Sequence, residues 1–477
     1  MSRFLVSRLI RSSAVLAFSG AAILCGSPAG TAVSSAGTTL PVPVPTVSDY
    51  QLLTSTTTPP SEQTCFSRGR RCFTAAAMQA SYDLLPLYAN QQDGRGVTIA
   101  IIDSFGNPNM ASDLANFDTQ MNLPHMCGEP GQACGAGVPT FQHVFWNGKT
   151  EVKASPPGSN DPGLQARDAW SVETSLDVEW AHAIAPMANI LNVTTDPAET
   201  QGVQGFPAMM NAEQFIVDNH QATVITQSFG AIEEGFHTTN SLMNLRHAFI
   251  SAAANGVTVL ASSGDGGSAN SLKTPVPLPS TVPYPTVNWP ASDPLVTAVG
   301  GTYLCTDPQT GTTVDSTDPP VNCGVNPPVR EIGWIDSGGG FSHVFAAPSY
   351  QGFTAGSMRG VPDVAWQASS RTGPLVYDTA PGAGGWFIVG GTSCSSPQFA
   401  GVVAIADQIA NHGLGQINAT LYQLASSDYS KYFFDVTTGT NQADPSIPGY
   451  NAGPGWDPVT GLGTPDAANL APALATG

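Results

Sequence analysis

One pattern dominates what this chain can fold into. Apolar runs of strand length recur at Val97–Ile102, Ile190–Val193, Thr223–Gln227, Val257–Ala261 and Leu295–Val299. Helix-like stretches at Ala169–Ala185, Pro207–Asn219 and Leu242–Ala254 lie between them. Parallel strands cannot be joined by a tight turn and need a long crossover, commonly a helix. The alternation therefore predicts an α/β fold, a parallel sheet with helices on both faces, in one large domain starting near residue 81. A hydrophobic content of 41% supports a real core. No internal repeat is visible.

The chemistry concentrates at Gly390-Gly391-Thr392-Ser393-Cys394-Ser395-Ser396-Pro397, directly before the apolar run Phe399 to Ala410. This small-residue turn feeds a helix and leaves the Ser393 hydroxyl at its start. Free backbone N–H groups and the positive end of the helix dipole lie there, which suits a nucleophile whose reaction builds an oxyanion. The simpler reading of such a serine is a helix cap. A serine nucleophile also needs a base. The chain has eight histidines; none is Gly-flanked in the manner of a catalytic histidine. His182, His220 and His247 lie in helix-like stretches, and His125 and His143 in stretches that read as loops. No G-x-S-x-G elbow exists.

A carboxylate base is the other candidate. Glu173 and Asp177 stand four residues apart on the predicted helix, so both project from one face. An isolated pair of this kind also reads as a solvated acidic face. Asp265, in Ser263-Gly264-Asp265-Gly266, follows an apolar strand; strand ends carry ligands in open α/β sheets, although Asp-Gly is also a common turn.

Together these motifs resemble the sedolisin family, the serine-carboxyl peptidases of the subtilisin-like superfamily. The resemblance runs from about Tyr82 to the C-terminus. It includes Glu173-xxx-Asp177, Ser-Gly-Asp265-Gly, Gly-Gly-Thr-Ser393-xxx-Pro397, the stretch from Trp289-Pro290-Ala291-Ser292 to Val299-Gly300-Gly301-Thr302, and Gly338-Gly339-Gly340-Phe341-Ser342. It implies Ser393 as nucleophile, Glu173 as general base and later acid, Asp177 as its orienting partner, and Asp265 beside the Ser393 N–H in the oxyanion hole. An acidic optimum is expected. A histidine, with a reference pKa of about 6.5, is protonated at pH 4, whereas a glutamate, at about 4.3, still works. Clustered carboxyls titrate as a coupled set, and a protonated Asp265 would donate to the oxyanion. Some sedolisins extend the proton network with a Glu where this chain has Asp103 and a Trp where it has Phe229. The shorter carboxyl and the non-bonding ring argue against that extension here.

The resemblance also implies a calcium site in the C-terminal loop: Asp435, the carbonyls of Val436, Gly453 and Gly455, and Asp457. Carboxylates with backbone carbonyls make a hard, all-oxygen donor set. No zinc spacing, Walker A loop or dinucleotide fingerprint is present.

With 16 Lys+Arg against 35 Asp+Glu and a net charge of −19, the chain is not built for nucleic acid. The expected partners are peptides or unfolded proteins, met by a secreted monomer. Arg3, Arg8 and Arg11 precede an apolar stretch, Ser13 to Gly26, and residues 1–36 read as a secretory signal that is too short and interrupted to span a membrane. Residues 37–80 form a short Pro/Thr/Ser-rich segment where sedolisins usually carry a long propeptide; residues 81–477 are the peptidase domain. Arg68-Gly69-Arg70-Arg71 within the first cysteine loop is either a processing site or a basic turn. Cys65 with Cys72, Cys127 with Cys134, and Cys305 with Cys323 are the simplest disulfides in an oxidising compartment. Cys394 is then a buried thiol beside Ser393. Segments 146–167, 266–292 and 303–330 read as long insertions near the substrate groove. Two alternatives remain: an inactive relative that only binds, and a histidine-dependent hydrolase of subtilisin type.

Overall fold

The computed structural model describes residues 44–45, 49–153, 164–195, 205–269, 271–272, 280–312, 323, 329–352, 356–380 and 384–477. The predicted signal 1–36 and parts of the three insertions lie outside these. Among the described residues the main sheet has nine strands. They are β1 (Thr98–Ser104), β2 (Phe141–Trp146), β3 (Glu151–Lys153), β4 (Asn189–Thr195), β5 (Val224–Gln227), β6 (Thr258–Ser262), β7 (Thr297–Leu304), β8 (Glu331–Gly333) and β9 (Val364–Gln367). Their order is β8-β7-β6-β5-β1-β4-β2-β3, with β9 also paired to β7. The interior pairs are parallel, and only the edges β3 and β8 pair antiparallel.

The helices used below are α1 (Met110–Met121), α2 (Leu164–Ile184), α3 (Gly205–Asp218), α4 (His247–Ala254) and α5 (Ser395–Ala410). Side chains alternate across a strand, and the sheet divides its residues accordingly. Ile99, Ile101, Ile190, Val224 and Leu260 enter one core with Leu176, Val402 and Ile405 of α2 and α5. Ala100, Ile102, Leu191, Ile225 and Val259 enter a second core with Met209, Ile216 and Phe249 of α3 and α4. The expected strands match to within a few residues. The expected helix Leu242–Ala254 breaks instead into Thr239–Met243, a 3₁₀ turn at Asn244–Arg246, and α4; the break falls where Arg246 reaches Asp293. His143, read as a loop residue, lies in β2.

The segment before residue 81 is folded onto this body. Asp49–Thr54 pairs antiparallel with Gly385–Gly390, the strand that leads into Ser393. Arg70 donates to Asp49 at 2.9 Å, Arg68 to the carbonyl of Leu52 at 3.0 Å, and Arg71 pairs with Glu62. The basic turn is therefore held in place by contacts. Cys65–Cys72, Cys127–Cys134 and Cys305–Cys323 are bonded, and Cys394 is free and buried, as the spacing predicted. Among the described residues no helix is long and apolar enough to cross a membrane.

Helices α2 and α5 approach closely at one point. A Cβ on Gly401 would meet Ile184 side-chain atoms at 2.7 and 2.8 Å. Only a hydrogen fits there, so the two helices lie nearer than a larger residue permits. Gly401→Val is expected to destabilise the protein by about 1–3 kcal/mol through overpacking, measured by urea unfolding; an unchanged midpoint would contradict this close approach.

Candidate active site

Each candidate side chain sits where the parallel strands end or where a buried helix faces them. Glu173 and Asp177 lie on α2, and both are fully buried. So are Leu176, Val178, Trp180 and Ala181 around them. The pair is therefore not a solvated acidic face. Ser393 is also fully buried, two residues before the start of α5.

Strand periodicity delivers the remaining polar groups to the same face. Ile99 and Ile101 face α2 and α5, and Asp103 continues that row. Its Oδ2 accepts from Asn192 Nδ2 at 2.7 Å, and the Thr174 hydroxyl of α2 lies nearby without a well-aligned bond. Val224 begins a second row that continues through Thr226, bonded to Ser396 at 2.8 Å, to Ser228. Ser228 Oγ donates to Asp177 Oδ1 at 2.9 Å. Asp265 follows β6. Its Oδ1 accepts both the N–H of Thr392 at 2.7 Å and its hydroxyl at 2.9 Å. Thr392 Oγ1 in turn accepts from the Gly264 N–H at 3.0 Å. Asp265 is thereby fixed to the residue preceding Ser393.

The structure thus gathers Ser393, Glu173, Asp177, Asp265 and also Asp103. Burial, then the charges of Asp177 and Asp103, push Glu173 well above its ordinary value, while a contact with the Ser393 hydroxyl opposes this. Burial, then Asp103, likewise push Asp177 up, against the Ser228 bond. Burial raises Asp103 to about 7 despite its bond from Asn192 and the nearby Thr174 hydroxyl. The hydroxyl of Ser393 is within reach of Glu173, yet neither Ser393 Oγ nor either Glu173 oxygen makes a well-aligned bond. Catalytic hydrogen bonds are often loose before substrate arrives and tighten with it. Phe229 hydrogen-bonds nothing through its ring and packs against Trp170 and Phe206. Burial and the nearby Glu173 and Asp265 push the Cys394 thiol well up, which keeps it protonated and unreactive.

Sequence reasoning missed Ser228, Asn192 and Thr392. The signal for the first two was parity: Asn192 follows Ile190, and Ser228 follows Val224 and Thr226, at i+2 steps on one strand face. Among the described residues no histidine side chain bonds to Ser393. His182, on α2, donates instead to the carbonyl of Pro124 at 2.9 Å.

At the C-terminal loop, Asp435 is exposed and Asp457 buried. The Gly455 N–H reaches Asp435 at 3.2 Å, and the Gly453 N–H reaches Asp457 at 3.1 Å. Burial holds Asp457 up at about 6, against bonds from Gly453, Thr460 and Val459. The N–H groups of Gly453 and Gly455 thus hold both carboxylates against the turn Gly453–Asp457, and carboxylates supply oxygen donors. This fits a hard cation.

The parallel sheet with helices on both faces is a subtilisin-like α/β fold. No family model matches the chain, but curated relatives do. It is 33% identical over 400 residues to kumamolisin of Bacillus sp. (strain MN-32), covering 80% of this chain and 60% of that protein. It is 35% identical over 272 residues to sedolisin of Pseudomonas sp. (strain 101), covering 57% of this chain and 44% of that one. It is 31% identical over 334 residues to tripeptidyl-peptidase 1 of Homo sapiens, covering 64% and 52%. Among solved structures, that of Pseudomonas sedolisin, a serine-carboxyl proteinase complexed with two molecules of pseudo-iodotyrostatin, superposes with a TM-score of 0.65 at 26% identity, covering 85% of this chain and 99% of that one. The protein is a homologue of the sedolisin-type serine peptidases. It spans less than two thirds of the length of these curated relatives.

The raised carboxyl pKa values give a testable sign. The native state holds protons that the unfolded chain releases above about pH 4. The stability they contribute is fully present below that and is lost as pH rises through the folded values, about 7 for Asp103. Thermal midpoints should fall from about pH 4 to about pH 7. Glu173→Gln should flatten this slope by up to about 1.4 kcal/mol per pH unit. A slope identical in wild type and variant would show that Glu173 titrates normally.

Proposed function

We propose that this chain is a secreted serine-carboxyl peptidase that hydrolyses peptide bonds in acid through an acyl-enzyme on Ser393. The observation that carries this reading is the buried contact between Ser393 and Glu173 within a cluster of carboxyls, with no histidine bonded to the serine among the described residues.

The chemistry follows from the geometry. Ser393 Oγ attacks the scissile carbonyl as Glu173 accepts its proton. Asp177, one helical turn on, favours proton uptake by Glu173 through its charge, and Ser228 fixes Asp177. Asp103 adds to the same field. The carbonyl oxygen becomes an oxyanion against the helix N-terminus and Asp265, which Thr392 positions. A carboxyl donates a hydrogen bond only when neutral, so Asp265 serves the oxyanion in its protonated form. Glu173 then returns the proton to the leaving amine. Water, deprotonated by Glu173, releases the acyl group and regenerates Ser393.

Peptide substrates are supported by an edge beside the site. Phe229 and Gly230, next to Ser228, already pair antiparallel with Val44 and Pro45 of the chain's own N-terminal segment. An edge that accepts an extended backbone suits substrates bound as an added strand. The disulfides support an oxidising, extracellular compartment.

Replacing Ser393 by Ala, or Glu173 by Ala, should lower kcat/KM on an unfolded protein substrate at acidic pH by at least about 10³-fold with the fold intact. An active wild type with a neutral optimum that loses activity on replacing a histidine would establish the subtilisin-type alternative. A folded, inactive wild type would establish the binding-only relative.

A calcium ion at Asp435, Asp457 and the carbonyls of Val436, Gly453 and Gly455 would supply structural ligation that ties the C-terminal loop down. Chelation should lower the thermal midpoint and added Ca²⁺ should restore it. Asp435→Asn should remove that Ca²⁺ response; a response that persists would move the ion elsewhere.

A further inference from the structure

A second cluster lies apart from the residues discussed above. Asp118, near the end of α1, is fully buried. Just beyond α1 come His125 and, within the loop closed by Cys127–Cys134, Glu129. One ligand atom from each of Asp118, His125 and Glu129 lies within 4.8 Å of the others. Glu129 is buried, with its side chain 1% exposed, while His125 is 38% exposed and opens the group to solvent.

The second observation is Asp118 itself. Neither of its carboxylate oxygens makes a well-formed hydrogen bond, although both are buried. A buried carboxylate in that condition is costly unless a cation compensates it. The nearest side chain able to carry positive charge, His182 of α2, has its Nε2 3.4 Å from Asp118 Oδ2. That nitrogen already donates to the Pro124 carbonyl at 2.9 Å. Glu129 meanwhile faces the Met126 N–H and His125 Nδ1, and His125 Nε2 lies 3.3 Å from Thr119 Oγ1.

We propose that Asp118, His125 and Glu129 form a binding site for a divalent first-row metal ion of the zinc type, with water in the fourth position. One imidazole and two carboxylates match the mixed N/O donors that zinc accepts, with metal–ligand distances of about 2.0–2.2 Å. A tetrahedral arrangement at those lengths needs donor atoms somewhat over 3 Å apart, so the ligand atoms, now within 4.8 Å of one another, adjust their spacing on binding and the His125–Glu129 contact opens. The exposed edge of His125 gives the ion access. His182 is a positioning residue: its ring, held by the Pro124 carbonyl, stands with Nε2 3.4 Å from Asp118 Oδ2 and links the site to α2. Such contacts outside the ligand set typically change metal affinity by about 10–100-fold. The ion would pin the disulfide loop to α1, a structural role separate from peptide hydrolysis and independent of the function proposed above.

The test uses the full-length protein, stripped with chelator and then returned to excess Ca²⁺ so that any calcium site stays filled. Titration with Zn²⁺ near neutral pH is expected to show one equivalent bound, with a rise in thermal midpoint. Co²⁺ as the probe is expected to give a visible ligand-field absorption. His125→Ala changes a half-exposed side chain and leaves the fold intact; it should weaken Zn²⁺ binding at least about tenfold and abolish the Co²⁺ band. His182→Gln should weaken binding while keeping a shifted band. The proposal is overturned if no stoichiometric Zn²⁺ binds, or if binding and spectrum survive His125→Ala unchanged. Zn²⁺ binding that competes with Ca²⁺ and is lost in Asp435→Asn instead would assign it to the C-terminal loop and equally overturn the proposal.

Discussion

The structure turns on placing ionisable groups inside a helix that water does not reach. Helix α2 is buried on all sides around Glu173 and Asp177, and β1 adds Asp103 from the sheet. Three carboxyls in one dry volume cannot all carry charge cheaply. The molecule therefore has to hold protons there, and every feature of the candidate site follows from that. A raised proton affinity makes Glu173 a stronger acceptor for the Ser393 hydroxyl, in the state of the cluster that leaves Glu173 ionised.

The rest of the fold keeps this volume small and fixed. The parallel sheet sets α2 and α5 on one face and closes the other with α3 and α4. Gly401 lets the two central helices approach, so that Ser393 at the start of one meets Glu173 on the other. The strand Gly385–Gly390 runs straight into the Ser393 turn, and the N-terminal segment from Asp49 is stitched along it. Ser393 is thus positioned by two elements from opposite ends of the chain. Asp265 is locked to Thr392 rather than left to swing. Such support favours preorganised donors over groups that must reorganise during reaction.

Much of this was legible in the sequence, and the limits have physical causes. The alternating runs declared a parallel sheet because side-chain period and crossover length are local properties. Cysteines a few residues apart announced their pairs for the same reason. Ser393, Glu173, Asp177 and Asp265 stood out because turns and helix spacing mark them locally, and the resemblance to a known family gave them roles. Asp103 was harder. Its chemistry argued against participation, and only its row, Ile99–Ile101–Asp103, shows that it faces α2. Ser228 and Asn192 were missed because their only signal is strand parity, and a single serine or asparagine in a strand row does not say what it faces. Burial also escaped the sequence: an E-x-x-x-D pair looks the same on a wet helix as on a dry one, and the neighbours that exclude water come from distant segments. The helix broken at Asn244–Arg246 follows the same rule, since Arg246 turns towards Asp293, far along the chain.

The central claim is that the Glu173–Asp177–Asp103 cluster keeps protons that ordinary carboxyls would have lost. Infrared difference spectroscopy of the carboxyl C=O stretch, followed between about pH 3 and pH 8 in wild type, Glu173→Gln and Asp103→Asn, reads those protons directly. The account predicts neutral-carboxyl absorption that persists above pH 5 and diminishes in each variant. Complete ionisation by about pH 5, the same in all three proteins, would contradict it.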